Sequence, residues 1–406
     1  MGKEIRVGVV GVSRGMSFAV NAALSGMKLV ALCDTWKEKL AEIDVGADVA
    51  KYTDYDEFLR HDMDAVVLAN YFDEHAPFAI KALHTGKHVL SETTCNVSVA
   101  EGVALCEAVE ETKLVYMLAE NYCYTRFNQE LRRIYRSGEL GEVRYAEGEY
   151  NHPMAPEERL RISPGFGHWR NHLPPSCYNT HALAPLMYIT ECMPISVNGL
   201  NISAPEVGEG TACISDPGFV TLCRMDNGAV FRLFGLVMPG HSNWYRVHGT
   251  KGAAEITRGP GYFGPEQVRV WHEEWNRPDS PDIPLERTYL PDWPSNAEEA
   301  EKAGHGGGDF WVEHYFAEAI RTKAQPFLDV YRGVAMSTVG LLSRRSAMQD
   351  GGPVAVPDFR DKVARKACLK DTERAFSGVE AREAKAREVL DTASQQYAEQ
   401  FWRENK

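Results

Sequence analysis

At 406 residues the chain exceeds the size at which one hydrophobic core keeps growing, so about two domains are expected. With 44% hydrophobic and 25% charged residues it has the composition of an ordinary globular protein, and no low-complexity tract argues for disorder. A formal charge of -13 repels polyanions and argues against nucleic acid or an anionic membrane as the main partner.

The opening MGKEIRVGVV enters an apolar run without the basic, apolar and small-residue order of a signal peptide, and no 18-residue apolar stretch follows. Neither export nor membrane spanning is expected. Nine scattered cysteines form no CxxC pair and no zinc-type spacing with histidine, which fits a reduced, cytoplasmic setting with no metal.

In the first third, short β-branched runs alternate with helical patterns, the sequence form of βαβ units and a buried parallel sheet. Strands are predicted at Ile5 to Val10, Lys28 to Leu32, Ala65 to Leu68, His88 to Leu90 and Leu114 to Leu118. Helices are predicted at Ser17 to Ser25, Lys37 to Glu42, Tyr55 to Arg60, Pro77 to His84 and Val99 to Glu111. After a further helix, Phe127 to Ser137, strands follow without helices between them: Val143 to Tyr150, Ile195 to Ile202, Phe219 to Met225, Val230 to Val237, Trp244 to His248 and Ala253 to Thr257. Asn227-Gly228 predicts a type I′ hairpin turn, which needs positive φ at both central residues. Residues 259 to 308, rich in Pro, Gly, Trp and Asp, are expected to be a long irregular excursion, and 360 to 406 a charged helical tail. The expected fold is α/β, with a doubly wound Rossmann sheet over 1–122 and an α/β domain with an open, mostly antiparallel sheet over 123–359.

The first turn, Gly8-Val-Val-Gly11-Val-Ser13-Arg14-Gly15, leaves a strand and opens a helix. Small residues there let the backbone approach a pyrophosphate, whose charge a helix N-terminus favours. Ser13 stands where the second glycine of GxGxxG is expected, so the fingerprint is degenerate. Asp34 closes the second strand 19 residues after Gly15, where a carboxylate accepts from ribose hydroxyls and repels a 2′-phosphate. NAD is therefore expected rather than NADP. Gly11-Val-Ser13-Arg-Gly15 also spells a GxSxG nucleophile elbow, but it follows the very first strand and no HGGG-like oxyanion loop precedes it.

Asp64-Ala-Val-Val-Leu-Ala-Asn70, His75-Ala-Pro77 and Gly86-Lys-His-Val-Leu-Ser-Glu92 make the chain resemble the Gfo/Idh/MocA oxidoreductases. That resemblance implies a Rossmann domain followed by an open-sheet domain often used for homo-oligomerisation, and it adds Asn70, His75 and Glu92 to the cofactor set. The family's Glu-Lys-Pro is here Glu92-Thr93-Thr94, without the lysine that assists hydride transfer. Ala119-Glu120-Asn121-Tyr122-Cys123-Tyr124, Glu149-Tyr150-Asn151-His152, Tyr178-Asn179-Thr180-His181 and Gly304-His305-Gly306-Gly307-Gly308-Asp309 resemble the NAD-dependent glycosidases of glycoside hydrolase family 109. By motif, that family's catalytic glutamate, two tyrosines and histidine fall on Glu120, Tyr150, Tyr178 and His181. Asn121, His152, Trp169, Arg170 and His305 are expected to contact a sugar or glycoside. Two departures, His152-Pro153 and Tyr-Asn-Thr-His, bear on substrate identity.

The chemistry this resemblance implies is oxidation at C3 of the sugar, loss of the C2 proton, elimination at C1, water addition and re-reduction, a route that needs no paired carboxylates. Histidine as a residue type suits the C3 hydroxyl proton. His181 is the candidate there, Tyr150 the candidate C2 base and Tyr178 its alternate or an acid. Glu120 would position the sugar or tune one of these groups. A sugar or polyol dehydrogenase with net NADH production is the competing expectation.

Overall fold

The computed structural model describes residues 4–163, 168–204, 213, 215–258, 267–276 and 283–374. In the first third, six parallel strands form one sheet in the order β3-β2-β1-β4-β5-β6. They are β1 (Ile5–Val10), β2 (Met27–Cys33), β3 (Ala50–Tyr52), β4 (Ala65–Leu68), β5 (His88–Ser91) and β6 (Tyr116–Leu118). Between them run α1 (Gly15–Asn21), α2 (Lys37–Glu42), α3 (Tyr55–Leu59), α4 (His75–His84) and α5 (Val99–Thr112). All four residues of β4 are buried, as in a strand covered on both faces, and this is why it reads as an unbroken apolar run. Side-chain caps start two of the helices: Asp54 accepts from Glu57 N and Ser98 from Glu101 N. The helix expected over Ser17 to Ser25 begins at Gly15, and its last turn tightens to a 3-10 helix (Ala22–Ser25) that Gly26, at φ 67°, ends. The edge strand β3 was not expected; it is three residues long and none of them is fully buried.

The chain continues through α6 (Arg126–Arg136), β7 (Val143–Asn151), α7 (Pro156–Ile162), α8 (Thr180–Thr190), β8 (Pro194–Ile202), β9 (Gly218–Met225), β10 (Val230–Leu236), β11 (Ser242–Gly249) and β12 (Ala253–Ile256). Next come β13 (Val268–Trp271), β14 (Glu286–Tyr289), α9 (Ala297–Lys302), α10 (Gly308–Thr322), α11 (Val330–Ala347), β15 (Val354–Ala355) and α12 (Lys362–Cys368). The second sheet has nine strands in the order β14-β13-β12-β11-β7-β10-β9-β8-β15. Every pair is antiparallel except β7 with β10. After β7 the chain crosses over through α7 and α8, and two hairpins then return β10 to the side of β7 in the same direction.

Three expectations are corrected. The region 259–308 is not an unbroken excursion, because β13, β14 and α9 lie in it and β13 and β14 extend the sheet. The Asn227-Gly228 turn is not type I′, since positive φ occurs at Gly228 (83°) but not at Asn227. Instead Gly228 N donates to Met225 O and Met225 N to Ala229 O, the pattern of a type I turn closed by a left-handed glycine bulge. In the tail, a short helix spans Lys362–Cys368, and the expectation for 375–406 lies outside the described residues.

One face of the nine-stranded sheet is covered by helices. Gly148 of β7 lies so close to α8 that a Cβ there would enter the carbonyl oxygen of Ala182. The opposite face, reached by alternation, carries ion pairs such as Arg232 to Glu147 (3.2 Å) and Arg258 to Glu149 (2.9 Å). Beyond β14 the chain returns to the first sheet. Arg321 of α10 donates to Gly26 O, and Leu118 N of β6 donates to Leu328 O. Among the described residues, no helix is long and apolar enough to cross a membrane.

Candidate active site

The candidate site lies at the carboxyl ends of β1, β2, β4, β5 and β6, where open α/β sheets bind ligands, and it is closed by β7, α8 and the N-terminus of α10. The turn after β1 fits a dinucleotide. Gly11 has φ 92°, and a Cβ there would run into the Ala69 carbonyl, so only glycine lets the strand-to-helix turn come this close to the end of β4. Asp34, at the end of β2, accepts from Val12 N (2.7 Å) and Trp36 N (2.8 Å), one bond per oxygen. A carboxylate has further lone pairs, which leaves it able to accept from ribose hydroxyls. Ser13 is exposed at the tip of the turn, and no histidine bonds to it among the described residues.

Arg14 points across to the second half of the chain. Its Nη1 and Nη2 donate to the two oxygens of Asp309 (2.9 and 2.7 Å), and its Nε to Glu92 Oε1 (2.6 Å). Asp309 also accepts from Asn121 Nδ2 (2.9 Å) and bonds His305 Nδ1 (2.9 Å). Burial alone would raise the Asp309 carboxyl. The hydrogen bonds from His305 and Arg14, with the Arg14 charge, hold it well below the usual carboxylate range. Asp309, the last residue of the glycine-rich motif, thus joins Arg14, Asn121 and His305, and Glu92 is tied to the group through Arg14.

One turn on, Glu313 is fully buried and neither carboxyl oxygen has a hydrogen-bond partner. Burial first, then the charge of Asp309, pushes its pKa well above the ordinary value, against the opposing pull of Arg14. A carboxyl whose pKa is raised by folding favours the folded state most below its unfolded pKa and loses that benefit as pH rises. Glu313→Met is therefore expected to stabilise the protein by about 1–3 kcal/mol. Urea unfolding at two pH values checks this: the gain is to be larger at pH 8 than at pH 5, and destabilisation at pH 8 would contradict it.

His75 is buried, and both ring nitrogens face carbonyl oxygens, those of Thr94 (3.0 Å) and Asn70 (3.3 Å). It therefore braces the segments after β4 and β5 instead of presenting a nitrogen to a ligand. Asn70 Nδ2 donates to Glu74 (3.2 Å).

The four expected catalytic residues converge. Glu120, just past β6, is fully buried, and both its oxygens meet His181 Nδ1, at 2.7 and 2.9 Å. An ionised carboxylate only accepts, so Nδ1 carries the proton and Nε2 is the nitrogen free to accept one. The Tyr150 and Tyr178 rings lie 4.4 and 5.1 Å from the imidazole, centroid to centroid. Tyr122, which stands in the Ala119–Tyr124 motif but is not among the residues expected at the site, lies 4.9 Å from the imidazole and 5.4 Å from Tyr150.

Three contacts seat His181 at the start of α8. They are the close approach of Gly148 to Ala182, a hydrogen bond from Tyr245 OH to His181 O (2.6 Å), and a Thr93 Oγ1 to Thr180 Oγ1 hydrogen bond (2.8 Å). Thr93 is thus tied to the residue before His181.

His152 lies 6.0 Å from Tyr150, ring to ring. Trp169 stacks on Phe72 at 5.0 Å, with Phe72 in turn 5.9 Å from Tyr178, so its ring is part of a packed aromatic column. Arg170 lies over Trp169, with its Cζ 4.4 Å from the ring centre. His305 and Asn121 sit on the other side, with Asp309.

Residues 5–120 match the family model described as oxidoreductase family, NAD-binding Rossmann fold, and residues 236–364 match that of glycosyl hydrolase 109, C-terminal domain. A glycosyl hydrolase family 109 protein of Solibacter usitatus is 27% identical over 396 residues, covering 87% of this chain and 88% of the relative. One from Shewanella sp. (strain MR-7) is 26% identical over 404 residues, covering 87% and 85%. Among solved structures, levoglucosan dehydrogenase in complex with NADH and L-sorbose aligns with a TM-score of 0.72 at 20% identity, covering 88% of this chain and 100% of that one. The aldose-aldose oxidoreductase from Caulobacter crescentus complexed with glycerol aligns at 0.66 and 19%, covering 87% and 100%.

Proposed function

We propose that this chain, an NAD-binding enzyme whose two segments match the Gfo/Idh/MocA oxidoreductase and glycosyl hydrolase 109 C-terminal families, cleaves a glycosidic bond through transient oxidation of the sugar at C3. The reading rests on one observation above the others: the buried Glu120–His181 pair with Tyr150 and Tyr178 against the imidazole.

NAD held at the turn after β1 and at Asp34 would supply a reversible hydride acceptor. Held by Glu120 with Nε2 available, His181 takes the C3 hydroxyl proton as that carbon becomes a ketone. The ketone acidifies the C2 hydrogen, and Tyr150, once deprotonated, removes it. Elimination then breaks the C1–O bond, and Tyr178, whose ring lies 5.1 Å from the imidazole, supplies the proton with which the leaving group departs. Water adds at C1 with a proton returning to C2, and His181 reprotonates the C3 oxygen on re-reduction. The net change is hydrolysis. Arg14, Glu92 and Asp34 contribute by fixing the loop that binds the dinucleotide, and the charge of Asp34 disfavours a 2′-phosphate.

The likeness to levoglucosan dehydrogenase favours a second reading, a sugar or polyol dehydrogenase with net NADH formation. Thr93 in place of the lysine speaks for the first. A panel of aryl glycosides with NAD separates them: aglycone release without accumulating NADH is expected, and stoichiometric NADH would overturn the glycosidase. In deuterated solvent, wild type is expected to exchange the C2 hydrogen. Tyr150→Phe is expected to exchange it about 10²–10⁴-fold more slowly, and unchanged exchange would remove Tyr150 from the role of base.

A further inference from the structure

Past Tyr150 and Tyr178 lies a cavity of about 330 Å³, between the ends of β7 and β10, the start of β9, and α7. Its walls are partly apolar, with Leu173, Phe219 and Leu236 among them, and four charged side chains reach it: Glu158, Arg159, Arg170 and Asp216. The two carboxylates have partners within the protein. Glu158 lies 3.8 Å from Arg161, and Asp216 accepts from Asn201 Nδ2 at 3.1 Å.

The two arginines differ from them in this respect. Among the described residues neither Arg159 nor Arg170 forms an ion pair, and the Arg170 Nε is buried without a hydrogen-bond partner. Arg170 is nonetheless held in place, its guanidinium stacked on Trp169 and 5.9 Å from the Tyr178 ring centre, while Trp169 is fixed by Phe72. A stacked guanidinium loses little freedom when it binds and presents a planar fork that matches a carboxylate. Beside it, burial first and then the Arg170 charge push His168 down to about 3, so the positive charge on this side of the cavity is that of Arg170. In a chain of net charge -13, two cations are here turned toward a partly apolar cavity that adjoins the reacting side chains.

We propose that this cavity selects an anionic glycoside, whose carboxylate, on the reacting ring or on the group next to it, is received by Arg170 with Arg159 beside it. The inference rests on the glycosidase reading above, since it names the substrate class of that site. Specificity of this kind follows from desolvated polar groups that only the correct substrate pairs.

The test uses the full-length, NAD-loaded protein and three matched substrates: a neutral aryl hexoside, the corresponding aryl hexuronide, and the hexoside of a carboxylated aryl group. At least one anionic glycoside is expected to exceed the neutral one in kcat/KM by about 10- to 100-fold, and the two anionic arms tell which part carries the charge. Arg170→Met is expected to bring that ratio close to one, and Arg170→Lys to keep part of it. A neutral substrate preferred by wild type, or a ratio unchanged in Arg170→Met, overturns the proposal.

Equilibrium binding of glucuronate against glucose, and of benzoate against benzyl alcohol, to the same protein gives a readout without turnover. If no glycoside is cleaved, the glycosidase reading has failed. Tighter binding of the anion in wild type, lost in Arg170→Met, then still upholds the cavity's selectivity, and equal binding of anion and neutral analogue overturns it.

Discussion

Glu120→Gln is expected to lower kcat by about 10²–10⁴ while the folded protein becomes no less stable. The carboxylate is fully buried, and both its oxygens are spent on one N–H of His181. An amide of the same shape can turn its NH₂ toward Nδ1, which moves the imidazole proton to Nε2 and leaves no acceptor where the substrate hydroxyl must give up its proton. It also withdraws the negative charge that would stabilise the imidazolium formed during oxidation. For folding the balance runs the other way, because removing a fully desolvated charge while keeping its volume relieves the cost of burying it. Thermal unfolding and turnover measured on the same preparation separate the effects. A kcat within tenfold of wild type would exclude Glu120 as the residue that orients His181, and a large fall in stability would make its role structural.

The elements most legible in the sequence were those whose burial is one-dimensional. Ala65–Leu68 is buried at every position, so its apolar run marks the strand to the residue. Glu286–Tyr289 alternates exposed and half-buried positions with two charged residues among its four, and nothing in its composition separates it from a loop. The candidate site was legible wherever a local motif carried it, as with Tyr178 and His181, three positions apart, the one just before α8 and the other in its first turn. What stayed hidden were contacts between distant segments. Gly148 looks like any glycine in a strand until Ala182 is seen against it, and the convergence of Tyr150 on His181 depends on that missing side chain. The partner of Arg14 lies 295 residues away, and no spacing rule reaches so far.

That long-range contact carries the other large effect. Asp309→Asn is expected to cost about 3 kcal/mol of stability and to raise the Kd for NAD about tenfold or more. Four donor atoms, two from Arg14 and one each from Asn121 and His305, converge on a carboxylate whose side chain is 1% exposed. An asparagine keeps one acceptor and turns an NH₂ group toward donors, so at least one buried donor goes unpaired and the Arg14 charge keeps only Glu92. The sign with pH follows from the lowered carboxyl. Its stabilising contribution is present above the unfolded pKa of about 4 and is lost as pH falls through the lower folded value, so wild type and Asp309→Asn should converge in stability on acidification below pH 4. Because Arg14 belongs to the turn after β1, freeing it loosens the dinucleotide loop, while Asn121 and His305 lose their shared anchor on the other side. A double-mutant cycle with Arg14→Met isolates the link. Coupling of about 1.5–3 kcal/mol is expected, with the double variant scarcely worse than the poorer single one. Strict additivity, or an NAD affinity that Asp309→Asn leaves unmoved, would mean that the clamp between the two halves of the chain contributes nothing to the cofactor site.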